Sequence, residues 1–404
     1  MPKKYYAILS KNRGVVTFSL LKYVEILVTS FTTFFLAKKI GPEEMGFAIP
    51  VFLYITYANY LSLGVNQVVT KNLSRFKNKS KIISFLRINF QFLICVSFIN
   101  MLLAFVLLDN KYAFLVGIIS IFTIFKGFYM SYFRAVYKIF ILNKNNLIFS
   151  ILLFFSVFLF VNTLWDYLLT WAISLSFSLV LYFLDDLDLF KKIMKKLHKF
   201  PSRLDLIYNL KEGIKLAVAG LFTTILLTSD RFLINQLDVP VKLKGSYQLA
   251  DYVGTAFYMI ITTFSFYYQP KLIEKIRTDK LKFRKTYVNY IKKSFILVPF
   301  FLLLIHYSSK LVSFYIFPEY ENLEVYVTLS VYVKLSVVYL SLMSLYHIGL
   351  DKETHYIKSL KFLVVTLVLA LLLIYYLKVS FFWVPIAIGS TVFIESFRKL
   401  IHLK

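Results

Sequence analysis

The chain reads as an all-α polytopic membrane protein of about twelve transmembrane helices, arranged as two six-helix lobes related by an internal repeat. Three observations predict this. Of the 404 residues, 59% are hydrophobic and only 17% charged, with a mean hydropathy of +0.69; a soluble globule of that composition would be coated in apolar surface. Apolar stretches recur along the chain, each near the ~20 residues that a helix needs to cross a hydrocarbon core of ~30 Å. Finally, a loop pattern returns after half the chain. Phe35-Leu36, a polar loop with Pro42, and Gly46 are matched by Phe232-Leu233, a loop with Pro240, and Gly245, at offsets of 197 and 199 residues.

The spans are expected at Gly14–Ala37, Gly46–Val69, Ile82–Leu108, Tyr112–Phe133, Asn146–Leu164, Tyr167–Leu184, Gly213–Leu237, Ser246–Tyr268, Ser294–Tyr315, Leu323–Tyr346, Phe362–Leu377 and Phe381–Phe397. The fifth, sixth, eleventh and twelfth are short, which fits little tilt or wider true boundaries. No stretch shows the two-residue alternation of a transmembrane β-strand. Residues 1–190 and 213–404 form the expected lobes, joined by a basic linker at 191–212. Parallel repeats of this kind enclose a transport path at their interface.

The formal charge of +26 is explained by where the cations fall. Thirty-five Lys and Arg lie in segments that share a side with the N-terminus, from Lys3–Arg13 through Lys71–Lys81, Arg134–Lys144, Lys191–Lys215, Lys271–Lys293 and Lys352–Lys361 to Arg398–Lys404. The opposite side has six: Lys38, Lys39, Lys111, Lys242, Lys244 and Lys378. Cytoplasmic loops carry such an excess, so both termini are expected in the cytoplasm, with the basic loops facing anionic membrane lipids. The basic loops contain no nucleic-acid reading module, which excludes that partner class.

Six cations fall at or within spans. Arg87 and Lys310 sit near helix ends, where long side chains snorkel to the interface. Lys22, Lys126, Arg231 and Lys334 are deeper, and a charge at bilayer depth costs ~2.5–3.5 kcal/mol even on the insertion scale, so such residues usually line a polar interior path. Glu25, Asp230 and Asp251 are the clearest acidic counterparts, with Glu395 near the last helix end. Several of these belong to polar stripes at helical spacing. Lys22, Glu25, Thr29 and Thr33 share one face of the first span, and Thr224, Thr228, Arg231 and Asn235 share one of the seventh. Asp251, Thr255, Tyr258, Thr262 and Ser265 follow in the eighth, and Ser330, Lys334 and Ser341 in the tenth. Two readings of the stripes stand: a cavity lining, or polar glue between helices. Lys22, Arg231 and Lys334, with Lys126, are the expected anion site. For Arg231 the competing expectation is an internal pair with Asp230, and for Lys22 a static pair with Glu25.

The sequence Thr33-Thr-Phe-Phe-Leu-Ala-Lys-Lys-Ile-Gly-Pro-Glu-Glu-Met-Gly46 resembles the first interhelical signature of polysaccharide flippases in the multidrug/oligosaccharidyl-lipid/polysaccharide exporter superfamily. Asp230-Arg-Phe-Leu-Ile, Gly245-Ser-Tyr-Gln-Leu-Ala250 and Gln269-Pro-Lys271 look like its counterpart in the second half, and Tyr132-Phe-Arg-Ala-Val-Tyr137 is a looser match. The closest branch is the Wzx-type O-antigen and repeat-unit flippases. That resemblance implies twelve helices in a bacterial inner membrane and an undecaprenyl-diphosphate-linked oligosaccharide as cargo. It also implies a place in lipopolysaccharide biosynthesis beside a polysaccharide polymerase and a chain-length regulator. The peptidoglycan-precursor branch usually brings fourteen helices. A diphosphate carries about two negative charges, and Arg and Lys are the least costly replacement for its hydration shell. Proton or Na⁺ coupling falls to Glu25, one turn from Lys22, with Asp251 as runner-up and Asp230 beside Arg231.

Other chemistry has little support. Cys95 lies alone in mid-span and the five histidines lack metal-ligand spacing, so no metal site is expected; no Gly-rich nucleotide loop is present, so no cofactor is expected either. A membrane polymerase or acyltransferase would carry a large external loop or a buried His-centred group, for which His306 is the one candidate at depth. Export of a small organic cation would call for a carboxylate-dominated cavity, whereas cations outnumber carboxylates here.

Overall fold

The computed structural model describes residues 13–73, 76, 78–198, 203–278, 280–349, 353–378 and 380–402. The N-terminal segment from Lys3 to Lys11, and Arg75, Lys77, Lys199, Lys352 and Lys404 of the orientation argument, lie outside these, as do the side chains of Ser265, Gln269 and Lys271. The protein is all-α, and the expected spans fall on helices, to within a few residues at their ends, except the second, which is interrupted, and the fifth, which runs from one helix past its end to the start of the next. The helices are α1 (Arg13–Ala58), α2 (Val65–Asn72), α3 (Lys79–Leu107), α4 (Asn110–Ala135), α5 (Ile139–Phe160), α6 (Leu164–Leu184), α7 (Leu187–Lys195), α8 (Arg203–Gln236), α9 (Val241–Thr278), α10 (Lys280–Ile316), α11 (Leu323–Gly349), α12 (Glu353–Tyr376) and α13 (Trp383–His402).

Among the described residues seven helical segments are long and apolar enough to cross a membrane, and α8 adds an eighth as two pieces bent by 45°, Asn209–Lys215 and Gly220–Gln236. Helix α1 holds the first two spans. It breaks at Gly41, whose φ of 75° and ψ of 174° form a combination open essentially to glycine, and Pro42 restarts the helix at a position where its missing N–H is no loss. The second span is interrupted where the sequence predicts a continuous run to Val69. A 3₁₀ turn at Asn59–Ser62 is followed by Leu63 and Gly64, both at positive φ.

The chain divides into two compact units, 1–39 with 50–220, and 40–49 with 221–404. In the first, α4 packs against α3 and α6 around Leu86, Leu93, Ile124, Phe128, Phe133 and Tyr182. The first half of α1 meets α5 through Phe35, which contacts Phe154 and Phe158 edge-on. Thr163 and Asp166 close a capping box at the start of α6. Helix α7 buries Phe190 and Ile193 in the same core and leaves Lys191, Lys192, Lys195 and Lys196 exposed.

In the second unit α11 is central, packed by α9, α10 and α13. Val333, Val337 and Leu340 form its core with Leu226, Leu363, Leu367, Ile388 and Val392. Helix α10 buries little: Ile296, Leu297, Phe300, Leu303, Leu304 and Leu311 are exposed, as expected of a lipid-facing wall. The repeated loop motifs meet here. A Cβ on Gly46 would run into Val241, and one on Gly245 into the backbone of Pro42. Each motif's glycine therefore admits the backbone of the other motif's loop.

Candidate functional site

The deep charges assemble into one cluster in each unit. In the second unit, α8 supplies Asp230 and Arg231, α9 supplies Tyr247 and Asp251, and α11 supplies Lys334. The Asp251 carboxylate is shared by two cations, with Arg231 Nη1 3.2 Å from one oxygen and Lys334 Nζ 2.6 Å from the other. Lys334 also donates to the Leu227 carbonyl at 2.5 Å. Asp230 faces elsewhere: it accepts from the Tyr247 hydroxyl at 2.6 Å and from the Arg231 backbone N–H at 2.8 Å. The partner of the Arg231 side chain is thus Asp251 on the neighbouring helix rather than the adjacent Asp230. Exposure is 8% or less for Arg231, Lys334, Asp251 and Asp230, so the ion pairs are screened little by water.

Sequence spacing explains this convergence only in part. Tyr247 and Asp251 lie four apart and therefore on one face of α9, and Ser330 and Lys334 do the same on α11. Gly254 lets α11 approach, since a Cβ there would collide with Ser330. The cluster leaves several polar atoms unsatisfied. Gln248 is fully buried, yet neither its Oε1 nor its Nε2 is hydrogen-bonded, and the same holds for Arg231 Nε, Ser229 Oγ and Ser330 Oγ. Each such group costs about 1–3 kcal/mol until a partner arrives. Tyr247 and Gln248 are the site residues that the charge-based reading missed. Their signal was present, since Tyr247 is one turn from Asp251 and both belong to the Gly245–Ala250 motif.

Several other members of the seventh- and eighth-span stripes hold local contacts. Thr228 is buried and donates to Thr224 O. Asn235 accepts Lys244 Nζ at its carbonyl at 3.0 Å. Thr255 is half-buried, Tyr258 packs against the apolar core and Thr262 donates to Tyr258 O.

In the first unit Lys22 Nζ pairs with Glu25 Oε1 at 2.7 Å. The second Glu25 oxygen is buried without a hydrogen bond. Thr29 donates to the Glu25 carbonyl at 2.8 Å and lies 3.4 Å from Ser150 Oγ. Lys126 on α4 places its ammonium 3.7 Å from the Phe149 ring centroid, a cation–π contact, and lies within the field of both Glu25 and Lys22. Of the expected anion-site residues, the structure therefore brings Arg231 to Lys334 and Lys22 to Lys126, as two clusters in two units.

The other deep groups have local roles. Arg87 is buried and reaches the Lys196 carbonyl at 3.4 Å. Glu395 is gripped by Arg398 through contacts of 2.8 and 3.0 Å, and His306 Nδ1 is 3.3 Å from Thr328 Oγ1. Among the described residues no group of three or more His, Cys, Asp and Glu could hold a metal ion.

No protein-family model matches this chain, and no curated protein sequence does. Solved structures do. An inward-facing multidrug resistance MATE family transporter of the MOP superfamily is similar at a TM-score of 0.69 and 15% identity, over 94% of this chain and 93% of that one. The lipid II flippase MurJ in an inward closed conformation is similar at 0.70 and 15% identity, over 96% of this chain and 86% of its own. An outward-facing MATE transporter follows at 0.60 and 14% identity, over 96% and 94%. What is shared at such identity is the fold: this chain has the two-lobed helical membrane fold of the MATE transporters and of MurJ.

Proposed function

We propose that the protein is a lipid-linked oligosaccharide flippase, moving an undecaprenyl-diphosphate-linked repeat unit from the cytoplasmic to the outer face of a bacterial inner membrane by alternating access. The observation that carries this reading is the Asp251 carboxylate held between Arg231 and Lys334 amid unsatisfied buried donors. Two cations fixed at one point suit a diphosphate, which would take over the contacts that Asp251 now supplies. The uptake step is then an exchange of counter-ions, with no uncompensated charge left at depth. Lys22 and Lys126 form the second cationic station, and Glu25 the coupling group: loss of its Lys22 pairing would favour proton or Na⁺ uptake. The membrane potential favours outward movement of an anion by ~2.3 kcal/mol per charge per 100 mV. A repeat-unit polymerase and a chain-length regulator are the partners that would receive this cargo.

Export of a small organic cation is the second reading, and the likeness to MATE transporters speaks for it. Against it, each deep carboxylate already faces at least one cation or, for Asp230, a tyrosine hydroxyl donor. Reconstituted vesicles separate the two. Flipping of a fluorescent undecaprenyl-diphosphate glycan, lost in Arg231→Gln and Lys334→Gln while both variants insert normally, supports the flippase. Full flipping by Arg231→Gln, or drug transport by the parent without glycan movement, refutes it. An imposed pH or Na⁺ gradient should drive the parent and fail to drive Glu25→Gln.

A further inference from the structure

The last turns of α10 and the loop leading to α11 enclose a crevice of about 620 Å³ that plays no part in the buried charge clusters. One wall is a single face of α10, since Tyr307, Lys310, Leu311 and Phe314 recur at helical spacing. The other wall is the loop and first turn of α11, with Tyr320, Glu321, Asn322 and Glu324. The crevice lies at the end of α10 remote from the basic segment Lys271–Lys293, hence on the outer side by the positive-inside rule.

Three features define its occupant. Leu311 and Phe314 continue the exposed apolar stripe that runs up α10 from Ile296 through Leu303 and Leu304, so the floor of the crevice opens onto the acyl-chain region. Tyr307, Phe314 and Tyr315 are exposed at the top of that stripe, the depth at which aromatic residues sit beside lipid head groups. The polar rim carries one cation, Lys310, and two carboxylates, Glu321 and Glu324. An anionic head group would meet one attractive and two repulsive charges there. A zwitterion with a phosphate and a primary ammonium meets a matching partner at each end, and its three N–H donors suit carboxylates better than a quaternary ammonium, which has none.

We propose that this crevice is a binding site for an aminophospholipid of the outer leaflet, its phosphate on Lys310, its ammonium on Glu321 and Glu324, and one acyl chain along Leu311 and Phe314. The site is separate from the transport reading and stands whichever cargo the protein carries. Native mass spectrometry of the purified protein, offered palmitoyl-oleoyl phosphatidylethanolamine, phosphatidylglycerol and phosphatidylcholine in equal amounts, tests it. The expected result is retention of phosphatidylethanolamine over either competitor by at least about fivefold, the ratio that a single charge-assisted contact supplies. Lys310→Gln should lower retention of all three lipids, since each carries the phosphate that Lys310 meets, and Lys310→Arg should keep the parent's level. The Glu321→Gln/Glu324→Gln double variant should bring phosphatidylethanolamine down to the level of phosphatidylcholine. Soluble glycerophosphoethanolamine, lacking acyl chains, should not displace the lipid. Equal retention of the three lipids by the parent, unchanged selectivity in the double variant, or displacement by the soluble head group would overturn the proposal. Lys310 and Glu321 are exposed and Glu324 is half-buried at the rim of the crevice, so thermal unfolding of the variants should stay close to the parent.

Discussion

Replacing Asp251 by Asn removes the shared counter-ion while leaving the shape of the site intact. Arg231 and Lys334 would then be two buried cations with no carboxylate between them. Breaking a buried pair by deleting one partner costs about 3–5 kcal/mol, and 1% exposure for Asp251 and 3% for Lys334 leave no water to screen the loss. For a unit of this size each kcal/mol moves the midpoint by about 2–4 °C, so Asp251→Asn should unfold roughly 6–20 °C below the parent, followed by tryptophan fluorescence in detergent. Adding Lys334→Met removes one of the stranded cations, so the double variant should be more stable than Asp251→Asn alone. The coupling from the double-mutant cycle should be well above 0.5 kcal/mol. Pyrophosphate should restore the Asp251→Asn midpoint and shift the parent less, because in the parent it must first displace a carboxylate. At a hundred times its Kd a ligand stabilises by about 2.7 kcal/mol. A midpoint loss equivalent to less than 1 kcal/mol, or zero coupling to Lys334→Met, would show that the carboxylate does not hold these cations. A pyrophosphate response equal in the two proteins would refute the exchange of counter-ions.

Gly245→Ala should destabilise by about 2 kcal/mol or more, because its new Cβ would run into the Pro42 backbone, which cannot move aside as a flexible side chain would; thermal unfolding measures it. Lys399 lies past the end of the last span, and burial pushes its ammonium down to about 8, with Glu395 working upward and Arg398 downward. The folded state therefore holds fewer protons than the unfolded one between about pH 8 and the ordinary lysine value. Stability should rise with pH across that window. Lys399→Met should abolish the rise and stabilise the protein at pH 7 by about 2 kcal/mol, at ~1.4 kcal/mol per pKa unit and discounted for residual exposure, since Glu395 keeps its Arg398 contacts.

The fold was legible because hydrophobic length and the alternation of basic loops depend on sequence position alone. Contacts one turn apart were legible for the same reason: Lys22 and Glu25, three residues apart, do pair. The Arg231–Asp251 contact was not, because helical period says which residues share a face but not which helices are neighbours, and Asp230 was the nearer acid in sequence. The break in the second span was hidden too. Leu63 adopts a positive φ that no leucine signals, leaving Gly64 as the one local cue. The half-chain repeat was visible as a recurrence of Phe-Leu, Pro and Gly. Its reason, the mutual backbone approach at Gly46 and Gly245, is a tertiary fact.

The repeat also orders the charges. By position in the two halves, α1 and α4 correspond to α8 and α11, and these four helices carry Lys22, Lys126, Arg231 and Lys334 respectively. Each unit thus places one cation on its first helix and one on its fourth, with a carboxylate close to them: Glu25 in the first unit and Asp251 in the second. The two versions differ in charge and in wetness. The first has two cations and one carboxylate, with side-chain exposures of 25% for Lys22 and 15% for Glu25, and one Glu25 oxygen lacks a hydrogen bond. The second adds Asp230, which balances the count, and is almost dry. Under the proposed function, the wetter cluster would serve ion exchange and the dry one anion exchange.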